Sequence, residues 1–98
     1  MQISYLVLYC AAPDASAAWY ESALGLRFQW EQHDGGHIHY SAEIAGTVLE
    51  LYPAGDRPVT RTRIGLSVPD PFGVAPAPTV ITDLDGNRIE VTVRAASA

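Results

Sequence analysis

The chain has 98 residues, of which 48% are hydrophobic, a length and composition typical of one globular domain rather than a disordered chain. Its formal net charge is −5 and all six basic residues are arginines, which argues against nucleic acid or an anionic membrane as a partner. Cys10 is the only cysteine, so no disulfide forms within the chain. We find no signal peptide and no apolar run near the roughly 20 residues of a membrane helix, and we expect a cytoplasmic protein.

The first predicted elements are a strand over residues 2–10 and the helix that follows it. Alternation in the strand places its tyrosines on one face. Pro13 and Asp14 are typical of a first helical turn, and Gly25 is typical of a left-handed cap after the last turn. A narrow stripe at helical spacing predicts the face that packs on a sheet; its members are Ala15, Ala18, Trp19 and Ser22.

Three further strands are predicted next, over residues 26–33, 37–44 and 47–52. The turn residues Asp34, Gly35 and Gly36 separate the first two, and Ala45 and Gly46 separate the last two. The first of these turns leaves two alternatives open for Phe28 and Trp30. A three-residue loop places both under the helix, whereas a two-residue turn places them on the opposite face.

The second half of the chain predicts a shorter set of elements. Residues 61–68 alternate as a strand, and residues 69–78 contain four prolines and a glycine, which excludes a helix there. Asp85-Gly86 lies between two β-rich runs and predicts a closing hairpin over residues 79–93. We therefore interpret the two halves as unequal copies of one pattern. The second half lacks the helix and one strand.

Four segments resemble the vicinal oxygen chelate superfamily, the glyoxalase, bleomycin-resistance and extradiol dioxygenase group. They are residues 6–16, 19–26, 47–51 and 83–91. The resemblance implies an α+β fold in which two βαβββ-type modules form curled mixed sheets around a cleft. Module one would span residues 1–52, a linker residues 53–60, and a truncated module two residues 61–94.

In the superfamily's enzymes a divalent metal in the cleft has four ligands, two from each module. On this chain two of those positions fall on Glu50 and Glu90, and the other two fall on Tyr5 and Arg63. Arginine has no lone pair to give, and a phenol is a poor substitute for imidazole. We therefore expect no metal cofactor, with Arg63 in the metal's place, pairing with both carboxylates through charge-assisted hydrogen bonds.

The histidines provide an alternative. Strand alternation places His39 on the same face as Glu50 and Tyr52, so His39, Glu50 and Glu90 together could hold a divalent metal such as Zn, Ni or Fe. The competing interpretation, which we favour from sequence, is a polar face whose histidines titrate in solvent; these are His33, His37 and His39.

Three tyrosines, Tyr5, Tyr9 and Tyr52, offer flat faces with polar tips that suit a planar ligand. The predicted ligand-binding set is Tyr5, Tyr9, His39, Glu50, Tyr52, Arg63 and Glu90. The resemblance implies a protein that binds or sequesters a small organic molecule, as the bleomycin-resistance branch does, without a metal. The alternative is a metal-dependent lyase, isomerase or dioxygenase with a rearranged metal site, and we favour binding over catalysis.

Without a second helix, one face of the second module would be bare. Six apolar side chains there would form a patch larger than a soluble monomer usually exposes; they are Ile64, Leu66, Val68, Ile89, Val91 and Val93. A second copy of the chain around a two-fold axis would cover them most simply. We therefore expect a homodimer.

Overall fold

A computed structural model describes residues 1–70 and 79–95. The chain divides into two compact units, residues 1–60 and the part that begins at Arg61. In chain order the elements are β1 (Tyr5–Cys10), α1 (Pro13–Leu24), β2 (Gln29–Glu31), β3 (His39–Ile44), β4 (Thr47–Pro53), β5 (Arg63–Asp70), β6 (Thr79–Thr82) and β7 (Arg88–Ala95). Two mixed sheets and a helix confirm the predicted α+β class. Within the described ranges no helix has the length and apolar character needed to span a membrane.

The first unit is a four-stranded sheet of order β1-β4-β3-β2, with α1 packed on one face. β1 runs parallel to β4, and the other pairs are antiparallel. Leu8 lies beside Leu51 in this register, and both are buried with Tyr20 of the helix. We call this side the helix face. Because side chains alternate along a strand, Tyr9 and Glu50 lie on the opposite side of the sheet. We call this side the polar face.

The predicted ends of the helix are confirmed, whereas its predicted packing face is wrong. Pro13 opens the helix, and Gly25 adopts φ 70° and donates its N–H to the Glu21 carbonyl. The residues that α1 buries are Ser16, Ala17 and Tyr20, while Ala15, Ala18 and Ser22 of the predicted stripe are exposed. The helix carries alanines on several sides, so its alanines do not mark the face that packs on the sheet. The large Tyr20 ring decides which side is covered.

β2 is shorter than predicted, and the connection to β3 is longer. Only Gln29–Glu31 pairs with β3, which begins at His39. Neither of the two expected turn lengths is observed, yet the helix-side alternative is correct for both aromatic residues. Trp30 lies opposite Tyr40, which lies beside Leu51 on the helix face, and the Phe28 ring is 6.3 Å from that of Tyr20.

The turn between β3 and β4 is the expected two-residue turn. Ala45 and Gly46 both have positive φ, 49° and 91°, as the tight turn of a twisted hairpin requires. Ile44 therefore pairs with Thr47, and Ser41 lies opposite Glu50. This register fixes which side chains of β3 share the polar face with the carboxylate.

The second unit is a three-stranded sheet of order β5-β7-β6, with β5 parallel to β7 and β6 antiparallel to it. The predicted closing hairpin is confirmed, and Gly86 in its turn has φ 95°. β5 continues to Asp70, beyond the predicted end at Val68. The rest of the proline-rich segment, residues 71–78, lies outside the described residues.

A buried hydrogen-bond network holds the β6–β7 turn. Asp83 accepts from the backbone N–H of Asp85 and of Asn87 at 3.0 and 2.8 Å, and from the Asn87 side-chain amide at 2.8 Å. Asn87 in turn accepts from the Thr62 N–H at 2.7 Å. Asn87 is fully buried, so these polar groups have a structural role.

The apolar face of the second sheet is less bare than expected. Ile89 is buried, 1% exposed, and the other five predicted members are half-buried. Ile89 therefore does not belong to the exposed patch that we expected a second copy to cover. The homodimer that we inferred from this face stays a prediction.

Candidate functional site

The polar face of the first sheet carries five of the predicted site residues. Strand register places them on one side of β1, β3 and β4; they are Tyr5, Tyr9, His39, Glu50 and Tyr52. The same face also receives Glu31 of β2, because Glu31 lies opposite His39. The structure thus brings these side chains together through strand pairing, as the alternation in the sequence predicts.

His39 lies at the centre of this face and is buried, 2% exposed. Its Nε2 is 3.4 Å from a Glu50 oxygen and 4.0 Å from a Glu31 oxygen. Its Nδ1 lies 3.4 Å from the carbonyl oxygen of His37, and the Tyr52 ring stacks on the imidazole at 4.2 Å between centroids, 7° from parallel. The interpretation of a solvated histidine face is therefore wrong for His39, which is not exposed to solvent.

Glu31 and His33 extend this group beyond the predicted ligand-binding set. His33 Nε2 is 3.4 Å from a Glu31 oxygen, and the two imidazole rings, of His33 and His39, are 5.2 Å apart. One ligand atom from each of Glu31, His33 and His39 lies within 4.8 Å of the others. The alternation of Glu31 and His33 was a usable signal, but it required the β2–β3 register.

Two hydroxyl groups orient the carboxylates. A hydrogen bond from Ser41 is the main influence that lowers the pKa of Glu31; burial opposes it, and the charges of His39 and His33 act in the same direction as Ser41. Burial is the main reason that the pKa of Tyr52 is raised, followed by the charge of Glu50 and a hydrogen bond to it. Glu31 therefore favours its charged form, and Tyr52 its protonated form.

Two grooves lie on either side of the stacked His39 and Tyr52 rings. The first, the carboxylate–histidine groove, has a volume of about 390 Å³ and is lined by Tyr5, Glu31, His33, His39, Ser41 and Glu50 among others. The second, the aromatic groove, has a volume of about 690 Å³ and is lined by Tyr9, Tyr52, Pro53 and Arg57 among others.

Two tyrosine rings, the Arg57 guanidinium and the Asp56 carboxylate line the aromatic groove. The Tyr9 and Tyr52 rings are 6.5 Å apart at 62°, and the Arg57 guanidinium lies 4.4 Å from the centroid of the Tyr9 ring. This distance is within the range of a cation–π interaction. The groove can therefore stack a flat molecule and pair with a negative group on it.

In the second unit Arg63 pairs with Glu90 at 3.8 Å. Both side chains are largely accessible, 68% and 41% exposed. This pair is half of the predicted bridge. Glu50 belongs to the first unit, so the other half, an ion pair between Arg63 and Glu50, stays a prediction.

Comparison with known families decides what kind of chain this is. The profile of the Glyoxalase/Bleomycin resistance protein/Dioxygenase superfamily matches residues 2–75. The chain belongs to this superfamily. A comparison with curated protein sequences finds no match.

Several solved structures share the fold of this chain. Oxidase ChaP-H2 superimposes with a TM-score of 0.75 at 18% identity, covering 96% of this chain and 94% of that one. Lactoylglutathione lyase from Agrobacterium tumefaciens superimposes with a TM-score of 0.67 at 16% sequence identity, covering 94% of this chain and 92% of that one. TnmS3, an antibiotic binding protein from Streptomyces sp. CB03234, superimposes with a TM-score of 0.70 at 14% sequence identity, covering 95% of each chain.

The superfamily's metal positions do not fit a divalent metal in this chain. Of the four positions expected from the resemblance, two fall on Tyr5, which is 62% exposed, and on Arg63, which pairs with Glu90. Arginine has no lone pair for a cation and repels it by charge. Of the four expected positions, only the two glutamates carry side chains that bind divalent metals well.

Proposed function

We propose that this superfamily member is a small-molecule-binding protein that holds a planar organic ligand in the aromatic groove. The ligand needs no metal at the superfamily's four positions. The observation that carries this proposal is the juxtaposition of Tyr9, Tyr52 and Arg57 around one groove. The protein would sequester its ligand rather than convert it.

The physical argument rests on the shape and chemistry of that groove. Its volume of about 690 Å³ lies within the range of about 300–1,000 Å³ that is typical of small-molecule sites. Tyr9 and Tyr52 offer stacking surfaces, and Arg57 can pair with a carboxylate or sulfonate. The antibiotic-binding description of TnmS3 is compatible with this role, although its similarity to this chain concerns the fold.

Calorimetric titration of metal-stripped protein tests the proposal. The probes are bleomycin and a panel of flat aromatic compounds, each with and without a carboxylate. We expect binding of at least one probe, and a loss of about tenfold or more in affinity in Tyr9→Ala and Tyr52→Ala, since each removes a stacking face.

The control is Trp30→Ala, which removes an exposed aromatic side chain from the opposite face of the same sheet. The affinity of Trp30→Ala for the probe should equal that of the wild type. The proposal fails if no probe binds, or if Trp30→Ala weakens binding as much as the two tyrosine variants.

A second candidate function is a metal-dependent reaction of the lyase, isomerase or dioxygenase type. The group formed by Glu31, His33 and His39 favours it, because two imidazoles and a carboxylate resemble the ligand sets of catalytic sites. Turnover of a bound probe by zinc- or nickel-loaded protein, abolished by a chelator, would support this function. Binding without turnover in both states favours sequestration.

We also propose that the protein is a cytoplasmic homodimer. The half-buried apolar face of the second sheet supports the dimer. Sedimentation at tens of micromolar protein should give twice the chain mass, and a monomer there would contradict the proposal.

A further inference from the structure

We propose that the first module carries a divalent transition-metal site formed by Glu31, His33 and His39, with Glu50 as the fourth ligand. The site shares only Glu50 with the superfamily's four metal positions. It replaces the expectation of a metal-free protein with a metal site formed within the first unit. It does not depend on the ligand proposed for the aromatic groove.

The ligand atoms of Glu31, His33 and His39 all lie within 4.8 Å of one another, which supports this part of the site. Glu50 adjoins the group through its contact with His39. Tetrahedral zinc with bonds of about 2.0–2.1 Å holds its ligand atoms about 3.3 Å apart. The contacts from His39 to Glu50 and from His33 to Glu31 are both 3.4 Å, and the contact from His39 to Glu31 is 4.0 Å. The exposed His33 side chain has room for the small rotation that closes the set.

Three of the four ligands already have a neighbour that orients them, as ligands in metal sites usually do. The His37 carbonyl faces Nδ1 of His39, so a proton on Nδ1 leaves the Nε2 lone pair directed at the carboxylates. The Tyr52 ring holds the plane of the imidazole. Ser41 hydrogen-bonds to Glu31, and the Tyr52 phenol to Glu50.

The charges also favour a cation. Glu31 and Glu50 form their ion pairs here with His33 and His39, which are charged only when protonated. A divalent ion binds such groups as carboxylates and neutral imidazoles, whose formal charges sum to about −2 for this set. A divalent ion balances this charge and uses both imidazole lone pairs.

The ligand types indicate the class of metal. Imidazole nitrogen with carboxylate oxygen suits Zn, Ni, Co or Fe(II), whereas Mg and Ca prefer sites made of oxygen ligands alone. The carboxylate–histidine groove beside the group, about 390 Å³, leaves space for a further exogenous ligand on the metal. We therefore choose Zn²⁺ as the probe and Co²⁺ as its spectroscopic substitute.

The experiment is a zinc titration of the full chain after chelator treatment, followed by calorimetry and by competition with a chromogenic chelator. We expect one site per chain. Affinity should fall by about tenfold or more in Glu31→Gln and His33→Ala. Zinc should also raise the melting temperature of the wild type and raise it less in His33→Ala.

Two further variants distinguish this site from the alternatives. Glu43→Gln removes an exposed acid from the same sheet and should leave zinc affinity unchanged, which controls for general loss of charge. Glu90→Gln tests the superfamily's position, and also the set of His39, Glu50 and Glu90, and should likewise have no effect. Co²⁺-loaded wild type should show the strong visible absorption of a four-coordinate ion, and His33→Ala should lose it.

The proposal is overturned if zinc does not bind, or if Glu31→Gln and His33→Ala bind zinc as tightly as the wild type. It is also overturned if Glu90→Gln or Glu43→Gln weakens binding as much as Glu31→Gln does. Because the probe is the metal alone, none of these results bears on the ligand titration of metal-stripped protein.

Discussion

Glu50 and Glu90 occupy corresponding positions in the two sheets, yet their surroundings differ. Each lies on the strand that runs parallel to the first strand of its module, opposite Val7 and Gly65 respectively. Glu50 is 18% exposed and meets the buried imidazole of His39. Glu90 is 41% exposed and meets the guanidinium of Arg63.

This difference shows that the position on a strand does not by itself decide what a carboxylate can do. The partner of Glu50 can give up its proton and offer a lone pair, whereas the partner of Glu90 stays charged. Burial strengthens electrostatic interactions in the first module, and water and salt weaken them in the second. A charged ligand should therefore interact more strongly with Glu50 than with Glu90.

The largest expected contrast lies in the cores of the two sheets. Leu51 is fully buried between β1, β3 and α1, so Leu51→Ala should lower the free energy of unfolding by about 2–5 kcal/mol. Leu66 is half-buried, so Leu66→Ala should lower it by about half as much. Urea denaturation measures both. Equal losses would show that the second sheet has as complete a core as the first.

The turn of the second sheet should depend more on polar groups than on apolar ones. Asn87→Ala removes the side-chain acceptor of the Thr62 N–H and one of the hydrogen bonds that Asp83 accepts, which should cost about 2–3 kcal/mol of unfolding free energy. Leu84→Ala, in the same turn but 58% exposed, should change it by less than about 0.5 kcal/mol. A similar cost for both variants would contradict a structural role for this network.

The Tyr52 phenol gives a pH test of the contrast between the glutamates. Its pKa lies above the ordinary value of 10.0, because of burial and then of Glu50. The stability that its protonated form contributes is complete below pH 10 and is lost as the pH rises through the raised pKa. Absorbance at the phenolate band, wild type minus Tyr52→Phe, measures this pKa.

Glu50→Gln should lower the pKa of Tyr52 towards its ordinary value, because it removes a negative charge beside the phenol. Glu90→Gln, at the corresponding place in the other sheet, should leave that pKa unchanged. A titration of Tyr52 that is insensitive to Glu50→Gln would mean that burial alone accounts for the shift.

The smallest expected effect concerns the ion pair of Arg63 with Glu90. Since both side chains are accessible, Arg63→Gln should change the free energy of unfolding by less than about 1 kcal/mol. Added salt should remove even that difference. A larger, salt-resistant loss would indicate that Arg63 also reaches a shielded carboxylate, as the predicted bridge to Glu50 requires.

The sequence determined the features that depend on a few adjacent residues. Three local features were predicted correctly. They are the two termini of the helix, marked by Pro13 and Gly25, the Ala45-Gly46 turn, and the hairpin around Gly86. Each follows from local backbone preference, because only certain residues tolerate a fixed or positive φ. Alternation from these turns then placed His39 on the face of Glu50.

Only the tertiary structure decided which side of α1 is covered, how far β2 extends and what lies beside His39. Tyr20, rather than the alanine stripe, sets the helix face. Glu31 joins the site because Gln29–Glu31 pairs with β3 across a long connection. Such pairing depends on the packing of distant segments, and a shift of one residue would move Glu31 to the opposite face.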